Sequence, residues 1–109
     1  MWIRVKEPVK FSTSEKAKII ENVSNYMEVY DSLKKRITKT VIKAGRVYFY
    51  EKLGEKDIEL VFARITIYDK NCNECTTEYK RYNEQWFTLH EANLENCIKY
   101  IGENEESFY

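Results

Sequence analysis

The chain contains few residues that interrupt regular structure, with three glycines and one proline among its 109 residues. Such a sequence favours long helices and strands joined by short turns. It also lacks an apolar run near the roughly 18 residues that a membrane-spanning helix requires. The first residues, MWIRVKEPVKF, lack the apolar segment of a secretory signal. We therefore expect a cytoplasmic protein with no membrane partner.

A net charge is absent too, because 18 basic residues balance 18 acidic ones. No field of one sign surrounds the chain, which argues against an affinity for nucleic acid or anionic lipid that depends on overall charge. Hydrophobic residues make up 43% of the chain and aromatic residues 15%, which is enough to order a core. The length suits one compact unit, and we predict a single α+β domain over residues 1–109.

Catalytic motifs are missing as well. The sequence has no phosphate-binding loop, no dinucleotide-binding glycine pattern, no nucleophile elbow and no HExxH zinc motif. Its single histidine leaves little room for a histidine-based triad, and its carboxylates are scattered without an evident acid–base pair. A non-catalytic protein is therefore expected rather than an enzyme.

A long helix near the start is the clearest local signal. Ser12 and Glu15 have the spacing of a capping box, in which each side chain accepts a hydrogen bond from the other residue's backbone amide. Apolar residues then recur at helical spacing, among them Val23, Met27 and Tyr30. We predict an amphipathic helix over residues 13–31.

After the DSLKKR junction the apolar period falls from about 3.6 to two, which indicates strands. Gly45 suits a tight turn between the stretches RITKTVIK and RVYFYEKL, since such turns require positive φ. A final short helix is indicated by a stripe of Leu94, Ile98 and Ile101. A short strand is also predicted within residues 2–9, ending at Pro8, and strands are predicted at RITKTVIK, RVYFYEKL, IELVFARITIYD and, as one long or two broken strands, TTEYKRYNEQWFTL.

The stretch IELVFARITIYD is apolar on both sides, which predicts a strand in the centre of the sheet. Strict alternation would set Val61, Ala63, Ile65 and Ile67 on one face and Leu60, Phe62, Arg64 and Tyr68 on the other. No helix fits between successive strands, so the connections must be antiparallel. We predict an α+β fold in which the N-terminal amphipathic helix packs on a curved antiparallel meander of four to five strands, followed by a short C-terminal helix.

The segment NCNEC raises a question about its two cysteines. A pair at this spacing is half of a zinc site, and the other half would be His90 and Cys97, giving the ligand set Cys72, Cys75, His90 and Cys97. A redox pair or a disulfide is a further alternative. The interpretation we favour is a turn made by Asn71 and Asn73 with incidental thiols, so that no cofactor is expected unless it is zinc.

One hairpin collects basic residues without intervening acids. Such residues interleaved with strand aromatics are typical of surfaces that bind single-stranded nucleic acid or an acidic partner. The alternative is that these basic residues only make the surface of the hairpin hydrophilic, and the neutral net charge favours that alternative. The candidate binding residues are Lys34, Lys35, Arg36, Lys39, Lys43, Arg46, Tyr48 and Tyr50.

The surplus of strand aromatics suggests a different function. One helix cannot cover all of them, so an exposed sheet face would be available for another protein or for a second copy of the chain. The leading hypothesis is a non-catalytic protein-binding module with a regulatory or inhibitor-type role, which forms a homodimer through a surface that includes Tyr68, Tyr79 and Tyr82. Nucleic-acid binding and a zinc-stabilised domain are the alternatives.

The order of these segments resembles an uncharacterised family of small prokaryotic proteins, a domain of unknown function. The stretches that carry the resemblance are STSEKAKIIENVSNYME, RVYFYEKL, VFARITIYD, QWFTL and LENCIKYIGENEESFY, which together cover most of the chain from Ser12 on. The resemblance implies the same α+β arrangement and no assigned activity. Two features depart from the family pattern, namely the cysteine hairpin and the low number of tryptophans.

Overall fold

The computed structural model describes residues 7–53, 58–80 and 85–104. They form three helices and one sheet of five strands, so the predicted α+β class is confirmed. The elements in chain order are α1 Thr13–Met27, α2 Asp31–Arg36, β1 Ile37–Lys43, β2 Arg46–Leu53, β3 Ile58–Ile67, β4 Cys75–Lys80, β5 Trp86–Ala92 and α3 Leu94–Glu103.

Helix α1 begins with the predicted capping box. The Ser12 hydroxyl accepts a hydrogen bond from the Glu15 amide at 3.2 Å, and the Glu15 carboxylate accepts one from the Ser12 amide at 2.9 Å. The helix ends at Met27, four residues before the predicted end, and a separate short helix α2 follows. This break turns the chain so that Leu33 is buried with 1% of its surface exposed.

The sheet is an antiparallel meander in the order β1-β2-β3-β4-β5. Strand β3 lies in the centre, as its two apolar sides predicted. The stretch predicted as one long or two broken strands forms β4 and β5, and residues 81–84 between them lie outside the described part. Of the short strand predicted within residues 2–9, only residues 7–9 are described, and they are not in a strand.

One face of the sheet carries the core. Val47, Ile65 and Thr77 pair directly across β2, β3 and β4, and all three are fully buried. Because directly paired residues of antiparallel strands point to the same side, this row defines the covered face. Buried residues of α1 and α3 pack on it, among them Val23 and Ile98.

Irregular pairing changes which residues face the core. Phe49 pairs with Ala63, but the next residue, Tyr50, pairs with Val61, so Phe62 is an extra residue in β3. Phe62 belongs to the core and is 6% exposed. The prediction that Phe62 shares a face with Arg64 and that Val61 shares one with Ala63 is therefore wrong, because the extra residue reverses the alternation at this point.

Candidate functional site

The opposite face of the sheet is not covered by any described helix. Tyr48, Arg64, Glu78 and Thr88 pair directly in one row across β2 to β5. Their strand neighbours Val47, Phe49, Ala63, Ile65 and Thr77 belong to the covered face, so this row points away from the core. We call this side the open face. By pairing and alternation it consists of Lys39, Val41, Lys43, Arg46, Tyr48, Tyr50, Lys52, Glu59, Val61, Arg64, Thr66, Thr76, Glu78, Lys80, Trp86, Thr88 and Glu91.

A buried carboxylate lies in the middle of the open face. Glu78 is 8% exposed, and its Oε2 accepts two hydrogen bonds from Arg64, from Nε at 3.1 Å and from Nη2 at 2.8 Å. Its Oε1 accepts hydrogen bonds from the hydroxyls of Thr66 and Thr76. Both oxygens of the carboxylate are therefore occupied, and its negative charge is balanced by the guanidinium.

Aromatic rings surround this network. The Arg64 guanidinium carbon lies 4.2 Å from the centre of the Trp86 ring. Trp86 meets Tyr48 edge to face, with ring centroids 6.3 Å apart. At the next position along the strands, the Lys39 ammonium lies 4.6 Å from the centre of the Tyr50 ring. Cations and rings are thus in direct contact on this face, and all three rings are half-buried.

The charge of the open face is mainly positive. Among the described residues, no ion pair with an acidic side chain involves Lys39, Lys43, Arg46 or Lys80. The Nε atom of Arg46 is buried and has no hydrogen-bond partner in that part of the chain. Arg64 balances the charge of Glu78, and these four cations outnumber the two other described carboxylates of the face, Glu59 and Glu91, which leaves an excess of positive charge.

The predicted binding residues separate into two groups. Lys39, Lys43, Arg46, Tyr48 and Tyr50 lie together on the open face. The other three, Lys34, Lys35 and Arg36, lie in α2 and not on the sheet.

Two of the α2 cations are already paired. Lys34 binds Glu28 at 2.9 Å, and the pKa of Lys34 is raised by that contact. Arg36 binds Glu51 at 2.6 Å and stacks on Phe62. The eight candidates are therefore divided between α2 and the sheet, because the chain turns between α2 and β1.

Two cations and one aromatic ring of the cluster around Tyr48 were not among the sequence candidates. They are Arg64, Lys80 and Trp86, from β3, β4 and β5. Alternation along each strand suggests which residues share a side, but only the register between strands aligns them with Tyr48.

Of the aromatic residues proposed for self-association, Tyr79 does not lie on the open face. Tyr79 points to the covered side, where it packs against the core and its ring centroid lies 5.7 Å from that of Phe87. Tyr68 follows β3 at its end and is half-buried. Tyr82 lies outside the described residues.

The cysteine segment forms a turn. The Asp69 side chain accepts hydrogen bonds from the amides of Asn73 and Glu74, both at 2.8 Å, and so closes the loop between β3 and β4. Cys72 adopts positive φ of 57° there. The expected turn is present, and the residue that closes it is Asp69 rather than Asn71 or Asn73.

Cys75 lies close enough to Cys97 and Cys72 for both to add to the effect of burial in raising its pKa, but the four proposed zinc ligands do not form a metal site in the described part of the chain. Cys75 and Cys97 are buried, and their thiols donate to the carbonyls of Cys72 and Ala92. His90 instead stacks on the Tyr100 ring at 4.5 Å. Within the described ranges, no group of three or more histidine, cysteine, aspartate or glutamate side chains is placed to hold a metal ion.

The thiols are poor nucleophiles and poor ligands in this arrangement. Burial raises the pKa of Cys72, Cys75 and Cys97 above the ordinary value for a thiol. Neighbouring negative charge, from Asp69 in the case of Cys72, adds to the effect. Since the thiolate is the reactive form, the geometry does not support a redox pair.

A cleft of about 440 Å³ lies between α1, the turn after β3 and the start of α3. Lys70 lines it and binds the Glu15 carboxylate at 3.0 Å. The pKa of Glu15 is lowered to about 2 by the Ser12 amide first, and then by Lys70 and the Ser12 hydroxyl. Lys70 and Glu15 are thus already bound to each other, so the open face is the stronger candidate site.

Among the described residues, none of the helices combines the length and the apolar content needed to cross a lipid bilayer. Comparison of the chain with known protein families, with curated proteins and with solved structures finds no match. The resemblance to a domain of unknown function therefore stays a prediction, and the open face is interpreted from its own chemistry.

Proposed function

We propose that this protein binds single-stranded nucleic acid across the open face of its sheet. The observation that carries the proposal is the combination of three aromatic rings, Tyr48, Tyr50 and Trp86, with the unpaired cations around them, on the face that no described helix covers. Every base has a π-face that can stack on such rings, and the phosphates between the bases need nearby cations.

The layout of the face suits a single strand. Lys43 and Arg46 lie at one end of the aromatic cluster, while Lys39 and Lys80 lie at the other. A strand that crosses the sheet could place bases over the rings and phosphates against the cations at both ends. Sheets of this kind stack two or three bases, and we expect a footprint of about that size.

The neutral charge of the whole chain does not oppose this function. Phosphate binding depends on clustered uncompensated cations. Among its described residues the open face carries six cations, Lys39, Lys43, Arg46, Lys52, Arg64 and Lys80, against the three carboxylates of Glu59, Glu78 and Glu91. Glu15, Glu28 and Glu51 bind Lys70, Lys34 and Arg36, all away from the open face.

The test is the binding of labelled single strands, DNA and RNA, measured by fluorescence anisotropy at two salt concentrations. We expect binding that weakens with salt with a slope of about −3, because four cations each release about 0.7 counterions from a single strand. Trp86→Ala should weaken binding by roughly ten- to hundredfold, the value of one stacked base.

A pair of matched variants tests whether the site is on the open face. Lys80→Ala removes one cation from that face, whereas Lys18→Ala removes one from the exposed side of α1. The first should reduce the salt slope by about 0.7, and the second should leave it unchanged. The absence of binding by the parent at low salt would refute the proposal.

A second candidate is association with another protein, with a second copy of this chain as the simplest case. Trp86, Tyr48 and Arg64 are in mutual contact on the open face, and tryptophan, tyrosine and arginine are the residues that contribute most to protein interfaces. Native mass spectrometry tests this hypothesis. A dimer in the parent that is lost in Trp86→Ala supports it, and a monomer at about 100 μM contradicts it for self-association.

A further inference from the structure

Arg64 is held more firmly than the other cations of the open face. Its side chain is 15% exposed, and two of its nitrogens donate to the same oxygen of Glu78. Its guanidinium also lies over the Trp86 ring. These contacts on two sides fix both the position and the plane of the guanidinium.

The partner of Arg64 is itself fixed. The second oxygen of Glu78 is held by the hydroxyls of Thr66 and Thr76, which are 1% and 9% exposed. A carboxylate with both oxygens occupied and 8% exposure cannot turn toward a ligand without breaking these bonds. Arg64 therefore presents one defined orientation to anything bound on the face.

Some donors of Arg64 remain available. A guanidinium carries five N–H groups, and the Nε and Nη2 atoms supply the two bonds to Glu78. Nη1 donates to no acceptor among the described residues, and it is not one of their buried unsatisfied atoms. Its N–H groups therefore reach the surface of the open face.

These donors lie where the edge of a stacked base would be. Tyr48 pairs directly with Arg64 across β2 and β3, so the two side chains are nearest neighbours on the same side. A base stacked on the Tyr48 ring would have its edge next to the Arg64 guanidinium. Guanine presents O6 and N7 as acceptors on such an edge, and thymine and uracil present O4, whereas adenine places an amino donor beside its acceptor.

We propose that Arg64 is a specificity-determining residue that selects guanine, thymine and uracil over adenine in a bound single strand. The inference rests on the proposed nucleic-acid function and adds the class of base. Glu78 is the positioning residue, since it acts by holding the guanidinium. One hydrogen bond from a charged donor corresponds to a preference of about tenfold or more.

The experiment compares strands of about ten nucleotides that contain only thymidine or only adenosine, together with the corresponding uridine and adenosine RNAs. The parent should bind the thymidine and uridine strands about tenfold more tightly than the adenosine strands. Arg64→Lys keeps the charge and removes the planar fork, so its preference should fall to within about twofold at an unchanged salt slope.

Arg46→Lys is the matched control. It makes the same change on the same face, but Arg46 has no carboxylate that orients it among the described residues. Its affinity for every strand should change by one common factor, so that the ratio of its affinities for the thymidine and adenosine strands equals that of the parent. Equal changes in both variants would indicate a general effect of arginine and overturn the assignment to Arg64.

A measurement on the parent protein covers the case in which Arg64→Lys fails to fold. The Nε–H resonance of Arg64, protected by its bond to Glu78, should shift in NMR spectra on addition of the thymidine strand and much less with the adenosine strand. Equal affinity of the parent for all strands would overturn the inference and leave the proposed function intact. No binding of any strand would overturn both.

Discussion

The replacement of Glu78 by glutamine tests the central network of the open face. The substitution keeps the shape of the side chain, removes its charge and converts one of its two acceptor oxygens into a donor. Each oxygen now accepts two hydrogen bonds, from Arg64 on one side and from the two threonine hydroxyls on the other. Whichever way the amide turns, one of these two pairs of donors loses its acceptor.

The expected loss of stability follows from burial. A hydrogen bond to a charged group contributes about 1.5–3 kcal/mol, and the disruption of a fully buried ion pair costs about 3–5 kcal/mol. The Arg64 side chain is 15% exposed and the Glu78 side chain 10%, so water can reach the guanidinium only in part. We expect Glu78→Gln to reduce the free energy of unfolding by about 2–3 kcal/mol, which lowers Tm by roughly 8–20 °C in a domain of this size.

Thermal and urea unfolding followed by circular dichroism measure this change. Glu28→Gln is the matched control, because Glu28 binds Lys34 at a similar distance of 2.9 Å but the two side chains are 63% and 43% exposed. Its effect should stay below about 1 kcal/mol. If Glu78→Gln melts within about 2 °C of the parent, or if the two variants lose the same stability, the network does not hold the open face together.

Two further predictions concern charge and thiols outside that face. The folded pKa of Glu15 is about 2, below its value of about 4.5 in the unfolded chain, so its contribution to stability is present above about pH 5 and is lost as the pH falls toward 2. Glu15→Gln should therefore flatten the dependence of stability on pH over this window in acid titrations, and an unchanged slope would contradict the assignment. Alkylation of the native protein near neutral pH, followed by mass spectrometry, should modify Cys72 slowly and leave Cys75 and Cys97 intact until denaturant is added, since those two thiols are buried. Rapid modification of Cys75 in the native state would show that the turn opens.

Local signals in the sequence predicted the elements well. The capping box at Ser12 and Glu15, the turn at Gly45 and the stripe of α3 each depend on residues that are neighbours in the chain. The two apolar sides of β3 correctly predicted its central position. Such features are readable because the period of a side-chain pattern directly reflects the geometry of a helix or a strand.

The errors arose at positions where the spacing of the apolar residues no longer matches the course of the backbone. The end of α1 at Met27 was missed, since Tyr30 continues the apolar stripe although the backbone has already turned. The extra residue Phe62 in β3 was missed as well, because a bulge has no distinctive composition. For the cysteines the spacing left a metal site open beside the favoured turn, and the position of His90 against Tyr100 became known only from the structure.

The sequence by itself determined the class of the fold, the order of its elements and the absence of familiar catalytic motifs. The tertiary structure decided which side chains share a face. Arg64, Glu78 and Trp86 belong to three strands and meet only because the pairing register aligns them. Register depends on turns and bulges that act over the whole sheet, and a shift of one residue would move each of these side chains to the opposite face.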